Sequence, residues 1–355
     1  TNDFDANIYG GETLSSGLLG QENNRNRSFN QESTFEVNYQ TPIKKNQLFE
    51  TGGKAILRQV NSTFTYFSNI GQARPGNSLD YDQNIGAAYV SYTLNTKNKY
   101  SFKIGSRYEY TAITGTLQGD TRLDIPNYHN IVPSVNVSKT LKGGRTLKLA
   151  YNRRLQRPGI QFLNPNVNNA NPQNISVGNP NLAPELTDQF ELSTSWFKKS
   201  VYINFSAFAR TTNNSIESIR FTDEQGVITT TFDNIGQKEN YGINVFGNMT
   251  LFGKWQIGGG ADGYYSYITN NSSDPTLGAS NSGFVVSGRF FTNLTLKNGW
   301  GVQGFGFMRG RDVQLQGFQT GFGIYSIGAK KDFKNKKGSV GIGVENFLSN
   351  TFRLR

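Results

Sequence analysis

Along most of this chain, apolar and polar residues alternate one for one. Over residues 99–110, Tyr100, Phe102, Ile104, Tyr108 and Tyr110 fall on one face, and Lys99, Ser101, Lys103, Arg107 and Glu109 on the other. Phe190, Leu192 and Trp196 likewise oppose Gln189, Glu191, Ser193 and Ser195. Val201, Ile203, Phe205, Ala207 and Ala209 share a face, and Val340, Ile342 and Val344 alternate with Gly341, Gly343 and Glu345. A period of two held over this length marks a β-strand with one apolar and one polar side. The pattern predicts about fourteen strands, near 32–41, 47–66, 81–95, 99–115, 129–141, 145–156, 186–197, 201–213, 239–252, 254–269, 282–297, 299–311, 318–331 and 338–348. A further small hairpin, 217–222 with 227–232, extends from the 213–238 connection.

The connectors come in two lengths, and they alternate. Short ones at 42–46, 96–99, 142–145, 198–200, 252–254, 297–299 and 333–337 separate longer polar ones near 68–80, 116–128, 158–185, 213–238, 270–281 and 311–317. In an up-and-down meander alternate connectors lie at the same end, so the short turns share one end of the sheet and the long loops the other. Trp196, Trp255 and Trp300 all flank short turns and therefore stand at one height. A girdle of amphipathic aromatics at one level is what a membrane–water interface selects. Many of the strands also exceed the about 9–11 residues that cross a bilayer at a tilt, and the about 5–6 usual in soluble sheets. These features together predict an all-β fold, an antiparallel up-and-down transmembrane β-barrel of the outer membrane. The rival, a pair of soluble sandwiches, requires shorter strands and no sorting of turns by length.

Composition changes this picture little. The mean hydropathy of −0.53 is no objection, because only every second residue of a barrel strand meets lipid. No apolar run is long enough for a transmembrane helix. The polar opening at Thr1 carries no signal peptide, so a mature or excised chain is expected. Cysteine is absent and His129 is the sole histidine, which excludes disulfides, thiolate or multi-histidine metal sites and most catalytic triads. The formal charge of +11 suggests nucleic acid until its location is considered. Each short turn carries lysine, and solvated turn chemistry explains that better than a basic groove interleaved with aromatics. There is no P-loop and no GxSxG. Asp223 with Glu224 and Glu185 with Asp188 lie in loops or at strand starts, and the 271–274 segment lacks the alternating acids of a calcium loop. No catalytic residue, metal, cofactor or nucleic-acid partner is expected. Arg153, Arg154 and Arg157 gather where a strand leaves the membrane; ion pairing is set there against binding of lipopolysaccharide phosphates or an anionic ligand.

The run from 157 to 185 is rich in Asn and Pro, with Asn164, Pro165, Asn166, Asn168, Asn169, Asn171, Pro172, Asn174, Asn179, Pro180, Asn181 and Pro184. Both residue types favour turns over ladders, so a long structureless loop is expected, and such loops usually have a task. The block Tyr151, Arg153, Arg154, Arg157, Pro158, Leu163, Asn164, Pro165, followed by Gly178, Asn179, Pro180, Leu182, Pro184 and Glu185, resembles the C-terminal barrel of TonB-dependent receptors. The nearest likeness is the outer-membrane β-barrel branch common in Bacteroidota, and 215–245 is similar to that family's next extracellular hairpin and strand.

The resemblance implies a Gram-negative outer-membrane barrel of about twenty-two strands, of which about fourteen are visible here. It also implies a plug domain, which nothing in this sequence resembles, so the chain is expected to be the C-terminal part of the barrel; a closed barrel of the visible strands is the alternative. The implied function is a receptor-transporter that takes up a siderophore, glycan or peptide with energy delivered from the inner membrane. A non-transporting subunit or scaffold of an outer-membrane complex is the alternative, and a passive porin the third. Expected partners are outer-membrane lipid and lipopolysaccharide, an inner-membrane energy-coupling protein acting through the plug, and a surface lipoprotein or other complex subunits.

Within the loop block a structural role comes first, since Pro180 and Pro184 stiffen the strand entry and the amides of Asn179 and Asn181 cap turns. Ligand contact is assigned to loop residues on a rigid scaffold. The candidates are Gln161, an exposed Phe162, Asn166 and Asn168, with Arg220 from the 213–238 connection and Tyr128 and His129 from the end of the 116–128 loop, converging over the lumen.

Overall fold

The computed structural model describes residues 2–9, 18–68, 77–171, 173–270, 280–334 and 337–348. The first elements are β1 (Asn2–Tyr9), β2 (Leu18–Lys44), β3 (Gln47–Ser68), β4 (Asn77–Asn95), β5 (Tyr100–Leu117), β6 (Thr121–Leu123), β7 (Tyr128–Leu141) and β8 (Arg145–Gln156). A single helical turn α1 (Ile160–Leu163) and the short β9 (Asn168–Asn171) and β10 (Asn174–Ser176) follow. Then come β11 (Glu185–Lys198), β12 (Val201–Thr222), β13 (Ile228–Leu251), β14 (Trp255–Asn270), β15 (Ser280–Thr295) and β16 (Trp300–Arg309). The last are β17 (Asp312–Gln314), β18 (Gly317–Gln319), β19 (Phe322–Asp332) and β20 (Ser339–Glu345).

The long strands form one antiparallel meander. Each pairs with its neighbour in the chain, from β1–β2 through β5–β7, β8–β11 and β16–β19 to β19–β20. The predicted strands are all present, most of them within a few residues of their expected ends. β2 starts well before its predicted first residue, because its early half is a mostly polar sequence with no period to read.

As the barrel reading requires, the polar face lies inside: on β11, Gln189 and Ser193 are 3% and 7% exposed, while Phe190 and Leu192 are 56% and 51% exposed. The same inversion places Glu109 and Thr111 inside and Phe102, Ile104, Tyr108 and Tyr110 outside. An apolar outer surface this extensive is unfavourable in water and favourable in lipid. Among the described residues no helix is long and apolar enough to cross a membrane, which has no bearing on crossing by strands.

The short turns hold residues with positive φ, such as Lys199 (56°) and Asn298 (58°), which suits two- and three-residue hairpins. Gly144 is needed at one of them, since a side chain there would strike the Phe197 carbonyl. All three tryptophans stand at this end, with Trp196 donating to the Gly143 carbonyl at 3.2 Å and Trp255 to Thr292 Oγ1 at 2.7 Å.

At the other end the strands outrun any membrane. β12 has 22 residues and β13 has 24, and at about 3.4 Å per residue that is far more than the ~25 Å apolar band requires. The 213–238 region, expected as a loop with a small hairpin, is instead the continuation of β12 and β13, broken only by a bulge around Asn214 (φ 56°). Among the described residues the sheet does not close: β20 pairs only with β19, and β2 beyond its contact with β1 pairs only with β3. The expected connections at 68–80 and 270–281 lie largely outside the described residues.

Candidate functional site

The Asn/Pro run is not structureless. After Pro158 the chain makes one helical turn, with the Phe162 and Asn164 amides donating to the Gly159 and Ile160 carbonyls. It then returns on itself: Gly178 N–H donates to the Asn164 carbonyl at 2.9 Å and Asn179 N–H to the Phe162 carbonyl at 2.7 Å. Only glycine fits at 178, because a Cβ there would lie 2.7 Å from the Phe162 carbonyl oxygen and closer still to that of Asn164. The side chain of Asn179 donates to the Phe232 carbonyl and accepts from the Asn181 amide, both at 3.0 Å. Asn234 clamps Ala183 from both sides, accepting from its N–H at 2.7 Å and donating to its carbonyl at 3.0 Å. β10 adds in parallel to the outer end of β13.

Two apolar side chains fasten the loop. Leu163 and Leu182, each 1% exposed, pack with Val60, Leu79, Tyr81, Ile113 and Ile125. Ile216 and Phe232, on β12 and β13, touch the same cluster. Along the sheet β4 and β12 are five strand spacings apart, about 24 Å. A single cluster can join them only if the sheet curls into a trough whose mouth the loop bridges. Phe162, expected as an exposed ligand contact, is spent on this bridge, its ring centroid 4.6 Å from that of Phe232. An apolar ring on a loop is held by burial when a core lies within reach.

Beneath the bridge is a polar chamber wall. Arg157 donates from Nε to Thr111 Oγ1 at 3.1 Å and pairs with the Glu109 carboxylate, which Arg107 also contacts. Next to them the Tyr128 hydroxyl is buried within reach of Thr111 and Arg157, while the Asn130 amide nitrogen, and in the loop the Asn166 amide nitrogen, are buried with no hydrogen-bond partner. Buried polar atoms of this kind call for a water or a ligand group. Burial pushes the Tyr128 hydroxyl above its ordinary range. Burial likewise raises the Glu185 carboxyl, with the nearby Glu217 adding to it, although the Ile216 N–H donates to Glu185 Oε1 at 2.7 Å.

The other predicted contacts do not converge. His129, one residue from Tyr128, must point to the opposite face, where it stacks on Tyr108 at 6.3 Å. Arg220 is exposed near the tip of the β12–β13 hairpin, its N–H donating to Gln316 Oε1 at 2.9 Å. Gln161 is exposed on α1, and the Asn168 side chain lies outside the described residues. The three arginines of the strand exit also separate. Arg153 makes a two-pronged contact with Asp188, both bonds at 2.9 Å, on the outer face that carries Tyr151 and Phe190; Arg157 turns to Glu109; Arg154 faces inward. Glu109, Thr111 and Asn130 were missed as site residues because strand parity marks a polar face without saying that a loop will cover it.

A second connection folds inward as well. β17 and β18 form a small hairpin whose Val313 and Leu315 pack on Ile219, Ile235, Ile268 and Val285.

An inverted antiparallel sheet with an apolar exterior, a polar trough and sorted turns agrees with the comparison by family. The model of the outer membrane protein beta-barrel family matches residues 1–354. This chain belongs to that family. It is an outer-membrane β-barrel protein. None of the curated proteins compared with it matches in sequence. Among solved structures it is similar to the ferric yersiniabactin uptake receptor FyuA from Yersinia pestis, with a TM-score of 0.61, 12% identity, and 94% of this chain and 51% of that one covered. It is also similar to the copper transporter OprC, with a TM-score of 0.56, 14% identity, and coverage of 93% and 51%. The ferric citrate transporter FecA gives a TM-score of 0.57 and 13% identity, with coverage of 93% and 51%. This outer-membrane barrel thus spans about half the length of the structures it matches, and at such identities the likeness is one of fold.

Proposed function

We propose that this barrel segment forms the wall and part of the extracellular cover of a receptor that takes up a nutrient across the outer membrane, driven from the inner membrane. The observation that carries the reading is the bridged trough: a loop with its own apolar core and amide clamps crosses a polar wall that holds unpartnered buried polar atoms. A passive porin needs an open lumen, whereas a ligand-gated receptor needs a cover that can be held and released. The likeness to metal and metal-chelate uptake proteins supports a siderophore or metal chelate, with glycan and peptide remaining candidates of the same class. The unpaired edges of β2 and β20 support completion of the wall by further strands, since open edges are not tolerated in hydrocarbon.

Uptake in cells tests the proposal. A strain lacking the whole protein should lose growth on one limiting nutrient, and complementation should restore it. A protonophore should abolish the restored uptake. Uptake that persists with the protonophore would make the protein a porin, and no nutrient phenotype with loss of a co-purifying complex would make it a scaffold.

A further inference from the structure

The chain sorts its two basic residue types by height. Seventeen of its nineteen lysines lie within four residues of a short turn, whereas sixteen of its seventeen arginines do not. The turn end therefore gathers half of the 36 cations but only two of the 25 acids, Glu50 and Asp332, and the rest of the chain carries more acids than cations. Both of those acids are taken up on the trough side, Glu50 by Lys103 at 2.5 Å and Asp332 by Lys330 at 3.5 Å. Lys45, Lys97, Lys142, Lys199, Lys254 and Lys297 stand on six successive short turns and are exposed. Among the described residues none of the six has a carboxylate within salt-bridge distance. Solubility does not require lysine at these places, since Asp and Asn fit tight turns and added acids keep a surface soluble better than added lysines do.

The register carries this charge onto the lipid-facing side as well. Arg145 stands opposite Trp196, Lys331 opposite Trp300 and Lys139 opposite Tyr100, so each cation points outward with its aromatic partner. Lys139 Nζ donates to the Tyr100 hydroxyl at 2.8 Å and lies 4.5 Å from the centre of that ring. Lys331 Nζ lies 5.1 Å from the centre of the Trp300 ring. Interfacial aromatics mark the level of the lipid headgroups, and a lysine stem beside them covers apolar surface while its ammonium stays in the polar layer. Neither acid of this end shares that face, so the counter-charge has to come from outside the chain. The choice of lysine fits a fluid partner. A compact ammonium needs no fixed fork geometry, whereas the arginines of this protein engage defined carboxylates, as Arg153 does Asp188.

We infer that the lysine-rich turn end is a docking surface for anionic phospholipid, the phosphate headgroups of the membrane leaflet at that end. Lys139, Arg145 and Lys331 meet headgroups beside the wall. The turn lysines add an attractive field that fades over a Debye length of about 8–10 Å. The inference needs only the membrane location of the barrel and is independent of what the protein transports.

Native mass spectrometry of the full-length protein in detergent tests it, with phosphatidylglycerol, phosphatidylcholine and lipid A titrated separately. Phosphatidylglycerol should bind at least about fivefold more tightly than phosphatidylcholine, the gain expected from one cation near an anionic surface. Lys139→Gln, Arg145→Gln and Lys331→Gln combined should bring that ratio below about twofold. Replacing the six turn lysines by Gln leaves the wall untouched and should also lower the ratio, by about twofold or more. Arg220→Gln, at the opposite end, should change it less than about 1.5-fold, and lipid A should bind the wall variant as it binds the parent. Heat-modifiable migration on a gel confirms that each variant is assembled. Equal binding of the two phospholipids, or a preference that survives both sets of lysine changes, would overturn the surface. A parallel loss of lipid A binding in the wall variant would overturn its assignment to phospholipid.

Discussion

If the bridge over the trough is held by its apolar core, shortening Leu163 to Ala should release the loop without harming the barrel. Leu163 is 1% exposed and packs among Val60, Leu79, Tyr81 and Ile113. The change removes three carbon groups at about 0.8 kcal/mol each, and a residual cavity brings typical totals to about 2.7–5 kcal/mol. Taking the lower end, the equilibrium for loop opening rises about a hundredfold. In hydrogen exchange followed by mass spectrometry, the amides of Gly178 and Asn179, now bonded to the Asn164 and Phe162 carbonyls, should exchange faster by the same factor. The amides of β14 and β15 should be unaffected. If protection over 174–182 changes by less than about threefold in a correctly assembled protein, the cluster does not hold the loop and the bridging argument fails.

Other consequences can be checked separately. Leu192→Arg puts a charge on the lipid face and should cost about 2–4 kcal/mol of barrel stability, seen as lost folding yield into vesicles, while Ser193→Arg on the adjacent inward position should fold. Arg157→Ala leaves the buried Glu109 with one cation fewer and should lower the thermal midpoint by circular dichroism, by an amount matching about 3 kcal/mol, with Arg157→Lys intermediate. The Glu185 carboxyl is raised above its ordinary 4.5, so its contribution to loop docking is complete below that pH and is lost as pH rises through the raised value. Loop protection, taken relative to the base-catalysed intrinsic exchange rate at each pH, should therefore fall on going from acid toward neutral pH, and Glu185→Gln should flatten that dependence.

By itself the sequence determined fourteen strands of the meander and their order, though it missed β1 at the start, together with the antiparallel pairing, the sorting of turns and the height of the tryptophans. These features depend on residues a few positions apart, because side chains alternate strictly along a strand and a tight turn needs particular local residues. It also marked Gly178, Asn179 and Asn164 as structural, although the reason, a chain return with no room for a Cβ, is visible only in the fold. The tertiary structure alone decided what the loops do. Leu163 and Leu182 are isolated apolar residues among Asn and Pro, and nothing local says that they meet Val60 and Ile113 from distant strands. The same holds for Phe162, which turned inward to Phe232, whereas parity alone already sends the adjacent Tyr128 and His129 to opposite faces. Arg153, Arg154 and Arg157 read as one basic group, yet strand geometry and three different surroundings gave them three different roles. Local patterning sets which face a side chain takes; what it meets there depends on the curvature of the whole sheet.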